Sequence, residues 1–155
     1  MRGLVQRVIR ASVEVVAPGG SAVVVGEIGP GLCVFVGATH GDGAPEAIKL
    51  ADKIWHLRVL DDADGVMNRS LANRFDDGEH AEVLVVSQFT LYGNTDKGRR
   101  PSWTDAARPE HAEPLVDRVV DRLRELGAVV ETGRFRAEMR VTIVNDGPCT
   151  LMLEV

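Results

Sequence analysis

Residues 22–57 read AVVVGEIGPGLCVFVGATHGDGAPEAIKLADKIWHL, and the hydrophobic period changes in the middle of them. Ala22 to Ile28 and Leu32 to Gly37 are rich in β-branched residues and are separated by the turn signal Gly29-Pro30-Gly31, so two strands are expected. From Pro45 the spacing becomes helical. Ile48, Ala51 and Trp55, with Leu50, Ile54 and Leu57, fall on one face, and Pro45 suits a first helical turn. Upstream, residues 2–9 and 12–17 alternate as strands, which makes the first forty residues a β meander.

Downstream, Glu82 to Val86 is a short apolar strand that runs straight into Ser87-Gln88-Phe89-Thr90-Leu91, where polar side chains replace aliphatic ones. A second helix is expected from near Pro109, with Leu115, Val116, Val119 and Leu123 on one face and Gly127 as its stop. Strands follow at about 128–132, 138–144 and 149–155, the last two joined by Asn145-Asp146-Gly147-Pro148. This order, without regular βα alternation, argues for an α+β fold: a mixed, mostly antiparallel sheet and two main helices in a single domain over residues 1–155.

The 155 residues, 45% hydrophobic and 26% charged, suit one soluble globular domain, and no apolar run approaches the ~20 residues that cross a bilayer. Gln6, Arg7, Arg10 and Glu14 interrupt the first apolar residues, so no signal-peptide core is seen and a cytoplasmic location is expected. Cys33 and Cys149 stand far apart among apolar neighbours, as small buried thiols do, and no histidine cluster completes a metal set. Eighteen Lys and Arg against 23 Asp and Glu, a formal charge of -5, argue against a broadly basic nucleic-acid coat. One local run, Lys97, Arg99 and Arg100 with Trp103 close behind, reads either as a solvated loop or as phosphate contact with stacking. Asp61-Asp62-Ala63-Asp64-Gly65 lacks the rest of a calcium loop and reads as a turn.

Familiar catalytic signatures are missing. Ser87 has no flanking glycines to form a nucleophile elbow, nothing ties His40, His56, His80 or His111 to Ser87 or Thr90, and neither GxGxxG nor GxxxxGK[ST] occurs. What remains is a strand end bearing hydroxyl and amide groups and a Gly-Pro step beside Asn145, Asp146 and Thr150. Backbone N–H groups at such places can stabilise an oxyanion without a side-chain nucleophile.

Ser87-Gln88-Phe89-Thr90-Leu91 and Asn145-Asp146-Gly147-Pro148-Cys149-Thr150, opened by Leu4-Val5-Gln6-Arg7-Val8 and with the basic loop between them, closely resemble D-aminoacyl-tRNA deacylase. The resemblance spans nearly the whole chain. It implies a barrel-like core and a cytoplasmic homodimer that hydrolyses the ester between a D-amino acid and the 3′-terminal adenosine of tRNA, and also glycyl esters on mischarged tRNA. It implies no cofactor, no metal, no membrane and no DNA partner. Ser87, Gln88, Phe89 and Thr90 would form the catalytic floor. A Gly147–Pro148 step in the cis form would enter the partner's site and exclude L side chains. Arg7, Asn145 and Thr150 would support that segment, Met139 would line the pocket, and a carbonyl near Ala106 would receive the α-amino group. Lys97, Arg99 and Arg100 would contact the acceptor end. Whether Thr90 is a nucleophile or water attacks with help from the ribose hydroxyl stays open at this level.

Cys149 departs from the pattern, which has a valine or larger apolar residue there. The L-alanyl-specific branch carries a proline in place of Ser87 and a small residue in place of Phe89, and this chain has neither. Two rival classes remain: a non-catalytic nucleic-acid module using Lys97, Arg99, Arg100 and Trp103, and a small-molecule hydrolase with Ser87 or Thr90 as nucleophile.

Overall fold

A computed structural model describes every residue of the chain except Lys97. Its organising element is β1 (Arg2–Val16), which pairs antiparallel with β8 (Met139–Glu154) along one edge. The other edge is divided: residues 2–8 of β1 pair with β3 (Gly31–Gly37) and residues 11–16 with β2 (Ala22–Ile28). From β3 the sheet continues through two parallel pairings, to β6 (Glu82–Ser87) and then β7 (Val129–Thr132). It closes on itself where β2 crosses β7, with Gly26 so near that a Cβ there would lie 2.9 Å from the Thr132 carbonyl oxygen. The sheet is thus mixed and barrel-like, as expected.

Two cores follow from the period of the strands. Leu32, Val34, Val36, Val83 and Val85 face α1 (Ala44–His56) and α3 (Pro109–Leu126), while Cys33, Leu84 and Val86 point into the barrel beside Val8, Val13 and Ile28. Both faces of β3 are therefore buried, which explains a continuous rather than alternating apolar run. α1 begins where the Glu46 carboxylate accepts the Gly43 N–H at 2.9 Å and buries Leu50, Ala51, Ile54 and Trp55. α3 stops at Gly127, which takes φ 108° and also leaves room for the Phe75 ring, 2.6 Å from where a Cβ would sit.

Three details differ from the sequence-derived expectation. The strands expected at 2–9 and 12–17 are one, β1 (Arg2–Val16), because irregularities near Val8 shift the phase of alternation and make it look like two. The strands expected at 138–144 and 149–155 are likewise one, β8 (Met139–Glu154), interrupted by a bulge. A third helix, α2 (Leu71–Asp76), follows the short hairpin of β4 (Leu60–Asp61) and β5 (Met67–Arg69). Ser70 caps it, its Oγ accepting the Asn73 N–H, but only Leu71 is buried, so no apolar stripe announces it.

Burial pushes the Cys33 thiol up to about 12, whereas Cys149 is partly exposed. Because the thiolate is the reactive form, alkylation of the native protein at neutral pH should spare Cys33 and reach it only after unfolding. Mass spectrometry of the labelled peptides checks this.

Candidate active site

The parallel strands β3 and β6 end side by side, and the cleft opens at their C-terminal ends, where open sheets commonly bind ligands. It has a volume of about 590 Å³. Gly37 and Ala38 leave β3 on one side, Ser87 and Gln88 leave β6 in the middle, and Pro109, Ala112 and Val116 of α3 form the next wall. Phe135, Met139 and Val141 close it from the β7–β8 side. Gly37 is needed here, since a Cβ would lie 2.9 Å from the Gln88 carbonyl oxygen.

The chain turns sharply after β6. The Gln88 N–H donates to Val36 O at 2.7 Å, holding the strand end to β3, and Phe89–Tyr92 then form one turn of 3-10 helix. Such a turn leaves the N–H groups of its first residues, Phe89 and Thr90, without an intrahelical partner. Phe89 is half exposed at the cleft and meets Trp103 edge to face, ring centroids 5.3 Å apart. Trp103 in turn packs on Gly93, where a Cβ would stand 2.5 Å from the indole.

Of the four residues expected as the catalytic floor, Ser87, Gln88 and Phe89 line the cleft and Thr90 does not. The Thr90 hydroxyl receives the Gln88 side-chain amide, a donor that cannot act as a base. His40 and His111 have their Nε2 atoms on the carbonyls of Thr104 and Asp42, so neither addresses Ser87 or Thr90. Met139 and Ala106 also line the cleft. Ala106 is placed by the bridge between Thr39 and Ala106 and by the Thr39 hydroxyl on Asp105 O at 2.5 Å. Among the described residues no group of three potential metal ligands exists.

Gly147, Pro148, Asn145, Thr150 and Arg7 are not part of this cleft. Gln6 pairs with Thr150 and Val8 with Asn145, so residues 146–149 bulge out of β8 opposite Arg7 alone. The Gly147–Pro148 peptide within the bulge is cis. Asn145 fastens its base, donating to Arg7 O at 2.8 Å and Cys149 O at 3.3 Å, and a Cβ on Gly147 would meet Asn145 Oδ1 at 2.7 Å. Arg7 braces it from within. Its Nε reaches Asp146 O at 3.2 Å and Asp146 Oδ2 at 2.9 Å, and its Nη1 reaches Val59 O at 3.0 Å and Asp61 Oδ1 at 2.8 Å. Gly147 and Pro148 themselves are exposed.

Of the basic loop, Lys97 lies outside the described residues. Arg99 and Arg100 are exposed in a loop closed by the paired backbones of Asn94 and Ser102. Strands at about 128–132 and 138–144 imply the β7–β8 turn, but the sequence reading gives it no role, and its Phe135 and Arg136 also line the cleft. The signal available was Gly133-Arg134-Phe135-Arg136, a basic and aromatic turn between two strands.

A family model described as D-Tyr-tRNA(Tyr) deacylase matches residues 4–154. The D-aminoacyl-tRNA deacylase of Heliobacterium modesticaldum is 56% identical over 154 residues, covering 99% of this chain and 96% of the relative. That of Streptomyces griseus is 53% identical over 163 residues and covers both chains fully. Among solved structures, a protein titled c-Myc DNA Unwinding Element Binding Protein superposes with a TM-score of 0.87 at 37% identity, covering 100% of this chain and 99% of that one. A probable eukaryotic D-amino acid tRNA deacylase superposes at 0.79 with 16% identity, covering 99% and 98%, and shares the fold. On the match along its length and the identity to these relatives, the chain belongs to the D-Tyr-tRNA(Tyr) deacylase family.

Proposed function

We propose that the protein hydrolyses D-aminoacyl-tRNA, and glycyl esters of mischarged tRNA, as a cytoplasmic homodimer that spares L-aminoacyl-tRNA. The observation that carries this reading is the bulge at residues 146–149, its Gly147 and Pro148 exposed, braced from behind by Arg7, and lying outside the cleft lined by Ser87, Gln88 and Phe89. A second copy related by a two-fold axis supplies the cleft that the bulge enters. The half-exposed apolar side chains of Ile9, Leu151 and Met152 on the neighbouring strands β1 and β8 support an interface there.

In this reading Ser87, Gln88 and Phe89 seat the ester, the carbonyl oxygen facing the free N–H groups of Phe89 and Thr90. Donors of this kind are worth about 3 kcal/mol each on a developing oxyanion. Water adds to the carbonyl carbon, the bond to the ribose 3′ oxygen breaks, and the leaving oxygen takes a proton. The ribose 2′ hydroxyl is the nearest group able to relay that proton, since the side chains at hand offer no base. Met139 and Ala106 bound the amino-acid end. The carbonyls of the partner's Gly-Pro segment meet an L side chain by steric clash, whereas a D side chain points away and glycine has nothing to clash.

Amino-acid release from D-tyrosyl-, L-tyrosyl- and glycyl-tRNA tests the reading: the D and glycyl esters are expected to be cleaved and the L ester spared. Equal cleavage of D and L esters, or no cleavage of any, rejects it. Thr90→Ala keeps the backbone N–H and removes only the hydroxyl, so kcat should stay within about threefold of the parent. A loss of about 100-fold with unchanged binding and fold would instead make the Thr90 hydroxyl the nucleophile.

A further inference from the structure

The turn between β7 and β8 is built against its own backbone preference. The Ala137 N–H donates to Arg134 O at 3.2 Å, so residues 134–137 form a β-turn, and its third position, Arg136, has φ 61°. Type II turns with positive φ at that position take glycine, because an L side chain there crowds its own backbone. Arg136 is the one non-glycine residue at positive φ among the described residues. Sparsely populated backbone conformations of this kind cluster at functional sites.

The turn is also fixed to the cleft. Met139 accepts the Arg134 N–H on its sulfur at 3.3 Å, and Phe135 and Met139 face inward while Arg134 and Arg136 are exposed. Arg136 forms part of the cleft's lip. Six other arginines of this chain are ion-paired among the described residues, Arg2 with Glu154 among them, and the rest, Arg99 and Arg100 included, are not. Arg69 and Arg74 pair with Asp77 and Glu79 near α2, Arg118 and Arg122 pair with Glu125 and Asp52 between the helices, and Arg7 pairs with Asp61 and Asp146. Arg134 and Arg136 make no ion pair among the described residues, not even with Glu138 in the same loop.

We propose that Arg136, with Arg134 beside it, is a phosphate contact for the RNA substrate, its guanidinium taking the phosphodiester that leads into the terminal adenosine. This rests on the reading that the cleft receives the 3′ end of aminoacyl-tRNA. A planar guanidinium matches two phosphate oxygens at once, and such contact fixes position without reading sequence, as an enzyme acting on many tRNAs requires. The site lies at the cleft itself, so a chain of negative net charge holds polyanionic substrate where the ester must sit.

The test is anisotropy binding of an uncharged acceptor-stem minihelix ending in CCA, between about 50 and 300 mM KCl, run beside D-tyrosyl-tRNA hydrolysis. Arg136→Gly suits φ 61° and should melt no lower than the parent. It is expected to bind the minihelix about fivefold to tenfold more weakly, with a log–log salt slope smaller by about 0.7 to 0.9, the value of one lost phosphate contact. Arg134→Ala added to it should lower the slope again. Lys49→Ala, which removes the same charge from the exposed face of α1, should bind as the parent does. Arg136→Gly with parental affinity and slope, Lys49→Ala weakened equally, or a parent that fails to bind the minihelix would each overturn the proposal. A parent that binds through Arg136 yet cleaves no D ester keeps the phosphate site and rejects the deacylase reading. A parent that cleaves while Arg136→Gly binds normally does the reverse.

Discussion

Alanine at position 7 is expected to lower the preference for D- over L-tyrosyl-tRNA by about 100-fold, equivalent to ~2.7 kcal/mol of lost discrimination, while D-ester hydrolysis stays within about threefold. The Arg7 side chain is only 14% exposed and reaches the Val59 carbonyl, the Asp61 carboxylate, and both the carbonyl and carboxylate of Asp146. It therefore ties the bulge at residues 146–149 to the end of α1 and the β4–β5 hairpin. Removing it leaves two carbonyls without their donor and two carboxylates facing each other across the gap. Those carboxylates are about half exposed and are rehydrated, so the stability loss should be about 1–3 kcal/mol rather than that of a fully buried pair. Rejection by steric clash suffers more, because a carbonyl that yields by a few tenths of an ångström no longer excludes a methyl group. Lysine should rescue only in part, having a point charge in place of the fork that serves divergent acceptors. The ratio of kcat/KM for the two esters, with thermal melts of each variant, reads both effects. A parental D-to-L ratio in Arg7→Ala would mean that the bulge is held by Asn145 alone or takes no part in selection.

The parts of this molecule that sequence makes legible are those whose partners are near in the chain or whose period is clean. α1 and α3 follow from one apolar face each, and Gly127 stops α3 for a reason visible in the residue itself. The strand end at Ser87 is legible because an apolar run gives way to polar groups where β6 leaves the sheet. The bulge is not. Asn145-Asp146-Gly147-Pro148 has the composition of an ordinary turn between two strands, and only the pairing of β8 with β1, some 140 residues distant, shows that the strand continues past it. The lip of the cleft is hidden for the same reason: Arg136 gains its meaning from a backbone angle and from Met139, neither of which composition reports. The net charge of -5 argues against a basic coat, yet a sum cannot tell paired arginines from unpaired ones at one edge.

Mixing two defective chains should restore selectivity that neither has alone. Ala112 lines the cleft on α3, and tryptophan there would fill the space that the ester needs, leaving the bulge of that chain untouched. A homodimer of Ala112→Trp is then expected to be inactive, and a homodimer of Arg7→Ala to be active and unselective. If the bulge screens the partner's cleft, a mixed dimer holds one open cleft, that of the Arg7→Ala chain, facing an intact bulge from the Ala112→Trp chain. Co-expressed with Ala112→Trp in about tenfold excess, nearly every Arg7→Ala chain has such a partner, so L-ester hydrolysis per Arg7→Ala chain should fall by about fivefold to tenfold. Hydrolysis of the D ester per Arg7→Ala chain should hold, which separates restored screening from general inactivation. Differently tagged chains and sequential affinity capture isolate the mixed dimer, and its melt confirms that Ala112→Trp is folded. Unchanged L-ester hydrolysis in the purified mixed dimer would place the screen within one chain, and the two-fold arrangement would then have no role in chirality.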